Sequence, residues 1–216
     1  MLVAQIPDVP QAPATRVVGN NVAISWSAPN SQGSPLIRYV IEIEQNDGGF
    51  SIEENNCDGN QPDILDAREC LVPISILIDS VYQLPWGSEV KAKVSAFNSF
   101  GGSEFSEVGG GAFIYTNPDA PVGLAEVIAN RTPTSISIVW TAGPANGGTE
   151  VLDYRLSFDQ GSDDFLVLEE VVNSLTFTAT SLQAGTIYKF KLEARNIYGY
   201  SAFSETLEVL CAAAPS

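Results

Sequence analysis

The chain has 216 residues, of which 44% are hydrophobic, so it is long enough to bury one or two cores. Its formal net charge is −16, from 26 acidic and 10 basic residues, which disfavours nucleic acid and anionic membranes as partners because both are bound through basic side chains. The sequence contains no histidine, which excludes Ser-His-Asp and Cys-His catalytic arrangements.

The two ends of the chain give further expectations. The first ten residues, MLVAQIPDVP, have no basic segment ahead of an apolar stretch and predict no signal peptide. The longest apolar run, 70–78, contains Pro73 and is far shorter than a membrane span. The chain ends in CAAAPS, which is similar in composition to an interdomain junction. We therefore expect the chain to be an excerpt from a longer array, with no direct membrane insertion in this segment.

Short strands dominate the predicted secondary structure. Val22, Ile24 and Trp26 alternate with small or polar residues, and the segments 136–140 and 188–194 alternate in the same way. A period of two with one polar face is typical of an antiparallel sheet that packs on one side. Clusters of Gly, Pro, Asn and Asp separate these runs. No window of about 11 residues keeps a helical period, so no helix is predicted.

The sequence contains an internal repeat. LPWGSEVKAKVSAFNSFGGSEFS (84–106) aligns without a gap on LQAGTIYKFKLEARNIYGYSAFS (182–204), and upstream Trp26 and Tyr39 correspond to Trp140 and Tyr154. The proline-containing segment TNPDAP (116–121) lies between the repeats and predicts a short, stiff junction. We therefore predict two domains, 1–117 and 118–216, each a β-sandwich of about seven strands.

These motifs resemble the fibronectin type III domain. The resemblance rests on an Ala-Pro start (Ala12-Pro13 and Ala120-Pro121), the core Trp, the following Tyr, and the segment Leu-x-x-Gly-Thr-x-Tyr at 182–188. It continues in Ala-x-Asn-x-x-Gly-x-Ser-x-x-Ser, which closes each repeat. It implies an all-β fold with two tandem immunoglobulin-like sandwiches, and binding or spacing rather than catalysis. One departure is Val90, which stands where the second repeat has the corner tyrosine Tyr188.

The first repeat has an insertion that the second lacks, ENNCDGNQPDILDAREC (54–70). Cys57 and Cys70 bracket a loop rich in Asp, Asn, Gly and Pro that offers little apolar surface. A disulfide between them would stabilise such a loop and would place the chain in an oxidising compartment. The alternatives are two reduced thiols in a cytosolic protein, or a zinc site that lacks two of its ligands. Cys211 is then a buried strand residue, a partner for a cysteine beyond this chain, or an intermolecular link.

No cofactor, metal or catalytic residue is predicted. Asp58, Asn60, Asp63 and Asp66, and separately the loop 159–164, offer oxygens for calcium, but neither has the ligand spacing of an EF-hand and both also fit solvated turns. The carboxylate pairs at 53–54, 163–164 and 169–170 are neighbours along a strand and point to opposite faces. A formal glycosylation sequon begins at Asn130, although Pro133 directly after it disfavours its use.

Contact residues are expected in the turn between the last two strands of each repeat. Phe100, Tyr198 and Tyr200 are the candidates, because aromatic side chains are enriched at protein contacts. The alternative is that each packs on its own turn.

These features predict a non-catalytic structural or adhesive segment of a larger extracellular or cell-surface protein. Its partners would be other proteins or neighbouring repeats of the same array. The alternatives are the ligand-binding region of a receptor ectodomain and an accessory region of a secreted polysaccharide-degrading enzyme.

Overall fold

A computed structural model describes residues 4–79 and 81–212. The chain divides into two compact units, Met1–Ile114 and Tyr115–Ser216, so the division lies three residues before the expected position after residue 117. Of the terminal segment CAAAPS, residues 213–216 lie outside the described residues. Among the residues that are described, no helix is long and apolar enough to cross a membrane.

The described part of the first unit contains eight strands and two short helices. In chain order they are β1 (Ala14–Val18), β2 (Asn21–Ser25), β3 (Arg38–Glu44), β4 (Phe50–Ile52), α1 (Pro62–Ala67), β5 (Glu69–Pro73), α2 (Ile74–Leu77), β6 (Glu89–Asn98), β7 (Gly101–Gly102) and β8 (Gly109–Phe113).

The described part of the second unit contains eight strands and one short 3-10 turn. They are β9 (Val122–Glu126), the 3-10 turn (Ile128–Asn130), β10 (Ile136–Thr141), β11 (Asp153–Phe158), β12 (Leu166–Val172), β13 (Thr176–Ala179), β14 (Ile187–Asn196), β15 (Gly199–Tyr200) and β16 (Leu207–Leu210).

Each unit is a sandwich of two antiparallel sheets. In the first unit a three-stranded sheet has the order β1-β2-β5, and a second sheet has the order β4-β3-β6-β7 with β8 also paired to β6. The second unit repeats this arrangement as β9-β10-β13 and β12-β11-β14-β15, with β16 paired to β14. The predicted all-β fold with tandem sandwiches is confirmed. The described part of each unit has seven longer strands and one additional strand of two residues, which is β7 in the first unit and β15 in the second.

The two helices of the first unit differ from the prediction of no helix. Helix α1 has six residues and α2 has four, so neither is long enough to show a helical period in the sequence. Pro62 begins α1, where its missing N–H costs no hydrogen bond, and Arg68 ends it in a left-handed conformation at φ 54°.

Each unit has its own core, built on the predicted alternation. Trp26 meets Tyr39 edge to face with ring centroids 5.2 Å apart, and Trp140 meets Tyr154 in the same way at 5.5 Å. The buried side chains around the first pair include those of β2, β3 and β6, and around the second those of β10, β11 and β14. The matching geometry explains why a Trp followed by a Tyr recurs in both repeats of the sequence.

Val90 replaces the corner tyrosine in the first unit, and a different side chain fixes that corner. In the second unit the hydroxyl oxygen of Tyr188 accepts a hydrogen bond from the backbone N–H of Gln183 at 2.9 Å. In the first unit the buried hydroxyl of Thr15 donates to the carbonyl of Val90 and accepts from the N–H of Ala112, both at 2.8 Å. Strand β1 is thereby bonded to β6 and β8 across the sandwich.

Candidate interaction surfaces

The insertion of the first unit covers a strand edge. Strand β4 pairs only with the end of β3, from Glu42 to Glu44, and leaves the first half of β3 without a strand neighbour on that side. The insertion takes that place, because the carbonyl of Gly59 accepts a hydrogen bond from the N–H of Tyr39 at 3.1 Å. A Cβ atom on Gly59 would collide with the backbone carbonyl of Tyr39, so the approach requires glycine.

A disulfide closes the insertion. Cys57 and Cys70 are bonded, with their Cα atoms 5.1 Å apart, and both are buried. Cys70 lies in β5 opposite Ile24 of β2, so the bond links the insertion to the three-stranded sheet. The insertion is therefore held on both sheets of the sandwich, by the disulfide on one and by the Gly59–Tyr39 hydrogen bond on the other.

Apolar contacts also hold the insertion, contrary to the expectation that it offers little apolar surface. Ile64 and Leu65 of α1 are partly buried against the first core. Two adjacent apolar residues in a polar loop gave no periodic signal, because less than two helical turns cannot establish one. The insertion is thus a small folded element rather than a bare loop.

Acidic side chains in the insertion and directly before it bond to the backbone of the insertion. The buried carboxylate of Glu53 accepts from the N–H groups of Asn55 and Asn56, at 3.1 and 2.8 Å. The carboxylate of Asp58 accepts from the backbone N–H of Asn60 at 2.9 Å, and this bond, with side-chain bonds from Asn60 and Gln61, holds the pKa of Asp58 below its usual value. These carboxylates act in the manner of turn-forming residues.

The second acidic loop is arranged similarly. One carboxylate oxygen of Asp159 accepts from the backbone N–H groups of Gly161 and Lys189, both at 2.9 Å, and Asp163 forms an ion pair with Lys189. Within the described residues, no group of three or more cysteine or acidic side chains is arranged to hold a metal ion. The carboxylate pair 169–170 is exposed, as is Asn130 at the end of its 3-10 turn.

The turns that carry the predicted contact aromatics are built on a buried asparagine. In the second unit the side-chain amide of Asn196 donates to the carbonyls of Thr116 and Asn146, at 2.8 and 2.9 Å, and its oxygen accepts from the N–H of Tyr198 at 2.8 Å. Asn98 repeats all three bonds in the first unit, with Gln5, Ser31 and Phe100. Each asparagine joins the turn to the start of its own domain.

Backbone hydrogen bonds at the start of each domain correct one part of the sequence alignment. The N–H of Asp8 donates to Asn30 as that of Asp119 donates to Ala145, so the segment 7–10 (PDVP) corresponds to 118–121 (PDAP). Both prolines of each segment are buried. The match of Ala12-Pro13 to Ala120-Pro121 was therefore wrong, because the first strand of the first unit begins after a longer lead-in.

The three aromatic candidates differ in exposure and partners. Phe100 is 58% exposed, and Tyr198 is 49% exposed but stacks on Tyr115 with ring centroids 5.1 Å apart. Tyr200 is half-buried beneath the guanidinium groups of Arg155 and Arg195, at 3.9 and 5.5 Å from its ring centroid. Tyr198 and Tyr200 therefore pack within their own domain, and Phe100 presents the most exposed ring of the three.

The basic side chains of the second unit contact its own acids and aromatic rings. Lys191 lies between the rings of Phe165 and Phe203, at 4.0 and 3.9 Å from their centroids, and Lys93 lies between Phe50 and Phe105 in the first unit. The remaining bases of the second unit form ion pairs: Arg131 with Glu126, Arg155 with Glu193, Lys189 with Asp163, and Arg195 with Asp153.

Strand β12 was not predicted as a contact surface, although it is the most exposed apolar element of the second unit's larger sheet. It lies at the edge of that sheet and pairs with β11. Leu166, Val167 and Val171 are 56%, 45% and 53% exposed, and Glu169 and Glu170 lie between them. The apolar residues of this strand are visible in the run LVLEEVV, but only the sheet order shows that the strand has a free edge.

Cys211 is fully buried and is a free thiol in the structure. It lies directly after β16, and its Sγ is 3.2 Å from the carbonyl oxygen of Pro133. Burial raises the pKa of the Cys211 thiol, which lowers its reactivity. Of the three alternatives for Cys211, the structure therefore agrees with the first, a buried residue.

Comparison with known proteins agrees with this architecture. The family model of the fibronectin type III domain matches residues 119–210. The chain is 27% identical over 206 residues to mouse fibronectin type-III domain-containing protein 3A, and 24% identical over 220 residues to the fruit-fly cell adhesion molecule Dscam1. These alignments cover 94% and 95% of this chain but 16% and 10% of the relatives, so the chain spans a small part of their length.

The fold is also similar to a solved structure, that of the FN1–FN3 domains of chicken CNTN1. The TM-score is 0.55 and the sequence identity 19%, with 96% of this chain and 67% of that chain covered. This likeness extends across both units and concerns the fold.

Proposed function

We propose that the two tandem fibronectin type III domains of this chain form a non-catalytic structural and adhesive segment of a larger extracellular protein. In this role the sandwiches space and orient their neighbours, and their surfaces make contacts with other proteins or with neighbouring repeats. The observation that carries the proposal is the disulfide between Cys57 and Cys70, since a structural disulfide in a polar surface insertion belongs to an oxidising compartment.

The side chains that could perform chemistry support the same role. The chain has no histidine, and most of its basic side chains form ion pairs or stack on aromatic rings in their own domain. The buried carboxylates of Glu53 and Asp159 bond to backbone N–H groups. What remains on the surface is acidic and apolar, which suits contacts with another polypeptide. The similarity to a cell adhesion molecule is consistent with such contacts.

The compartment is tested on protein isolated from its own cells without reductant. Alkylation of the denatured protein, followed by mass spectrometry of its peptides, should label Cys211 alone among the three cysteines of this segment, and all three after reduction. An antibody against the chain should label cells that have not been permeabilised. Three labelled cysteines before reduction, or labelling only inside permeabilised cells, would contradict an extracellular role.

The contacts are tested by cross-linking on intact cells. Cross-links from the surface of these domains to other proteins, or to further repeats of the same polypeptide, are expected for a spacer that also adheres. The flanking gene sequence separates the alternatives. Many further repeats support the array, a cytoplasmic signalling domain would instead indicate a receptor, and an adjoining catalytic domain an accessory region of an enzyme.

A further inference from the structure

Strand β12 is the outermost strand of the second unit's larger sheet. In the second unit β12 pairs with β11 along most of its length and has no strand on its other side among the described residues. In the first unit the corresponding strand β4 has only three residues, and the disulfide-closed insertion occupies the rest of the β3 edge. The outermost strand of this sheet is therefore seven residues long in the second domain and three residues long in the first, where the insertion completes the edge of β3.

An open edge with exposed apolar side chains is suited to binding an extended segment. Natural proteins protect such edges with charged side chains, Pro, β-bulges, short edge strands or a covering element. Strand β12 has two glutamates and an irregular register but no Lys or Pro, and its apolar residues Leu166, Val167 and Val171 are about half exposed. Main-chain groups along an edge supply affinity for an extended peptide, and the side chains beside them supply specificity.

The charge of β12 indicates which kind of extended segment would bind to it. Glu169 and Glu170 lie in the middle of β12, and in the described part of the chain neither forms an ion pair. A second copy of the chain would bring these carboxylates against each other, and the unit's basic side chains already have partners. Like charges opposite each other destabilise strand pairing, whereas lysine or arginine on the incoming segment would stabilise it.

The shape of β12 also disfavours self-pairing. Its register against β11 shifts twice, between Tyr154 and Leu156 and between Leu156 and Ser157. Such bulges bend a strand and break up the flat edge along which identical strands stack. A short flexible segment can follow a bend that a second rigid sandwich cannot.

We propose that the β12 surface, defined as Leu166, Val167, Glu169, Glu170 and Val171, docks an extended segment of a partner protein that alternates apolar and basic residues. This inference rests on the proposed function, because it names the partner chemistry of one adhesive surface.

The test uses the full chain and short synthetic peptides. The probe alternates lysine and valine. One comparison peptide alternates glutamate and valine, and another has the probe's composition with its lysines in one block. Binding is followed by amide chemical shifts of the isotope-labelled chain. The alternating lysine–valine peptide should shift the amides of residues 166–172 and should bind more tightly than both comparison peptides.

Two charge variants make the test specific. The double substitution E169K/E170K should weaken binding by about tenfold, since two exposed charge pairs are replaced by repulsion. The control E150K/E205K changes the net charge equally at exposed positions elsewhere on the same domain and should leave binding within about twofold. Dispersed spectra of each variant establish that it is folded.

Each other outcome overturns the inference. Absence of binding at millimolar peptide, shifts spread over the acidic surface, or equal weakening by both variants would show that β12 is not a specific site. Concentration-dependent dimers that E169K/E170K alters would identify a second copy as the occupant instead. If cross-links of the wild-type chain on intact cells persist unchanged in E169K/E170K, the adhesive function stands and this site for it does not.

Discussion

The backbone N–H of Tyr39 donates a hydrogen bond to the carbonyl of Gly59 at 3.1 Å, which joins the insertion to the edge of β3. Together with β4, the insertion therefore completes the edge of β3 in the first unit. In the second unit the seven-residue strand β12 occupies the equivalent edge, and in the first unit β4 is too short to do so.

The first prediction concerns the close approach at Gly59. The substitution Gly59→Ala places a Cβ against the backbone of Tyr39, and we expect the first unit to lose about 2 kcal/mol of unfolding free energy. Gly49→Ala is the matched control, because the nearest atoms there belong to the side chains of Gln45 and Asp47, which can move. Hydrogen exchange of the Tyr39 amide and of core amides measures both. Equal protection in the two variants would contradict a fixed contact.

The second prediction concerns the asparagine that joins the contact turn to the domain start. Asn196→Ala removes three hydrogen bonds at a buried position and leaves the carbonyls of Thr116 and Asn146 without this donor. We expect a loss of about 2–3 kcal/mol from the second unit. Asn196→Asp keeps the acceptor for Tyr198 and loses both donors, so it should also destabilise.

The exposed Asn173 provides the control, since Asn173→Ala should change the unfolding free energy by less than about 0.5 kcal/mol. Chemical denaturation followed by the amide signals of the second unit gives the comparison. A tolerated Asn196→Ala would mean that the turn is held by other contacts.

The third prediction separates two neighbouring lysines of β14. Lys191→Met removes a cation from between the rings of Phe165 and Phe203, and about 1 kcal/mol of stability should be lost. Lys189→Met breaks an ion pair with the exposed Asp163 and should leave the unfolding free energy nearly unchanged, because exposed ion pairs contribute little. Thermal unfolding of the second unit at low and high salt distinguishes them. The reverse order would show that the aromatic contacts are incidental.

The fourth prediction is a pH dependence of the first unit. Burial, reinforced by the carboxylate of Glu53, raises the pKa of Tyr82 from 10.0 to about 12. A tyrosine with a raised pKa in the folded state contributes stability that is present below the unfolded value and is lost as the pH rises. The first unit should therefore lose stability between pH 10 and about 12.

Tyr82→Phe removes this titration, so the variant's unfolding free energy should fall less steeply over the same interval. Denaturation curves at successive pH values, followed by signals of the first unit, make the comparison. Parallel curves for the wild type and the variant would show that other groups govern alkaline unfolding.

The repeated sandwich could be predicted from the sequence. Alternating apolar residues around Trp26 and Trp140 define strands whose faces follow from a period of two, and such local periodicity needs no knowledge of distant contacts. The same reasoning singled out Cys57 and Cys70, because two cysteines in one polar loop are visible as a spacing.

The covered strand edges and the exposed side chains could be identified only from the folded structure. That Gly59 meets Tyr39, that Thr15 replaces the corner tyrosine, and that β12 ends its sheet all depend on residues far apart in the chain. Tyr198 and Tyr200 look alike in sequence, yet one stacks on Tyr115 and the other lies beneath two arginines. Strand order and non-local packing depend on all contacts across the sandwich. A local sequence pattern does not reveal these contacts.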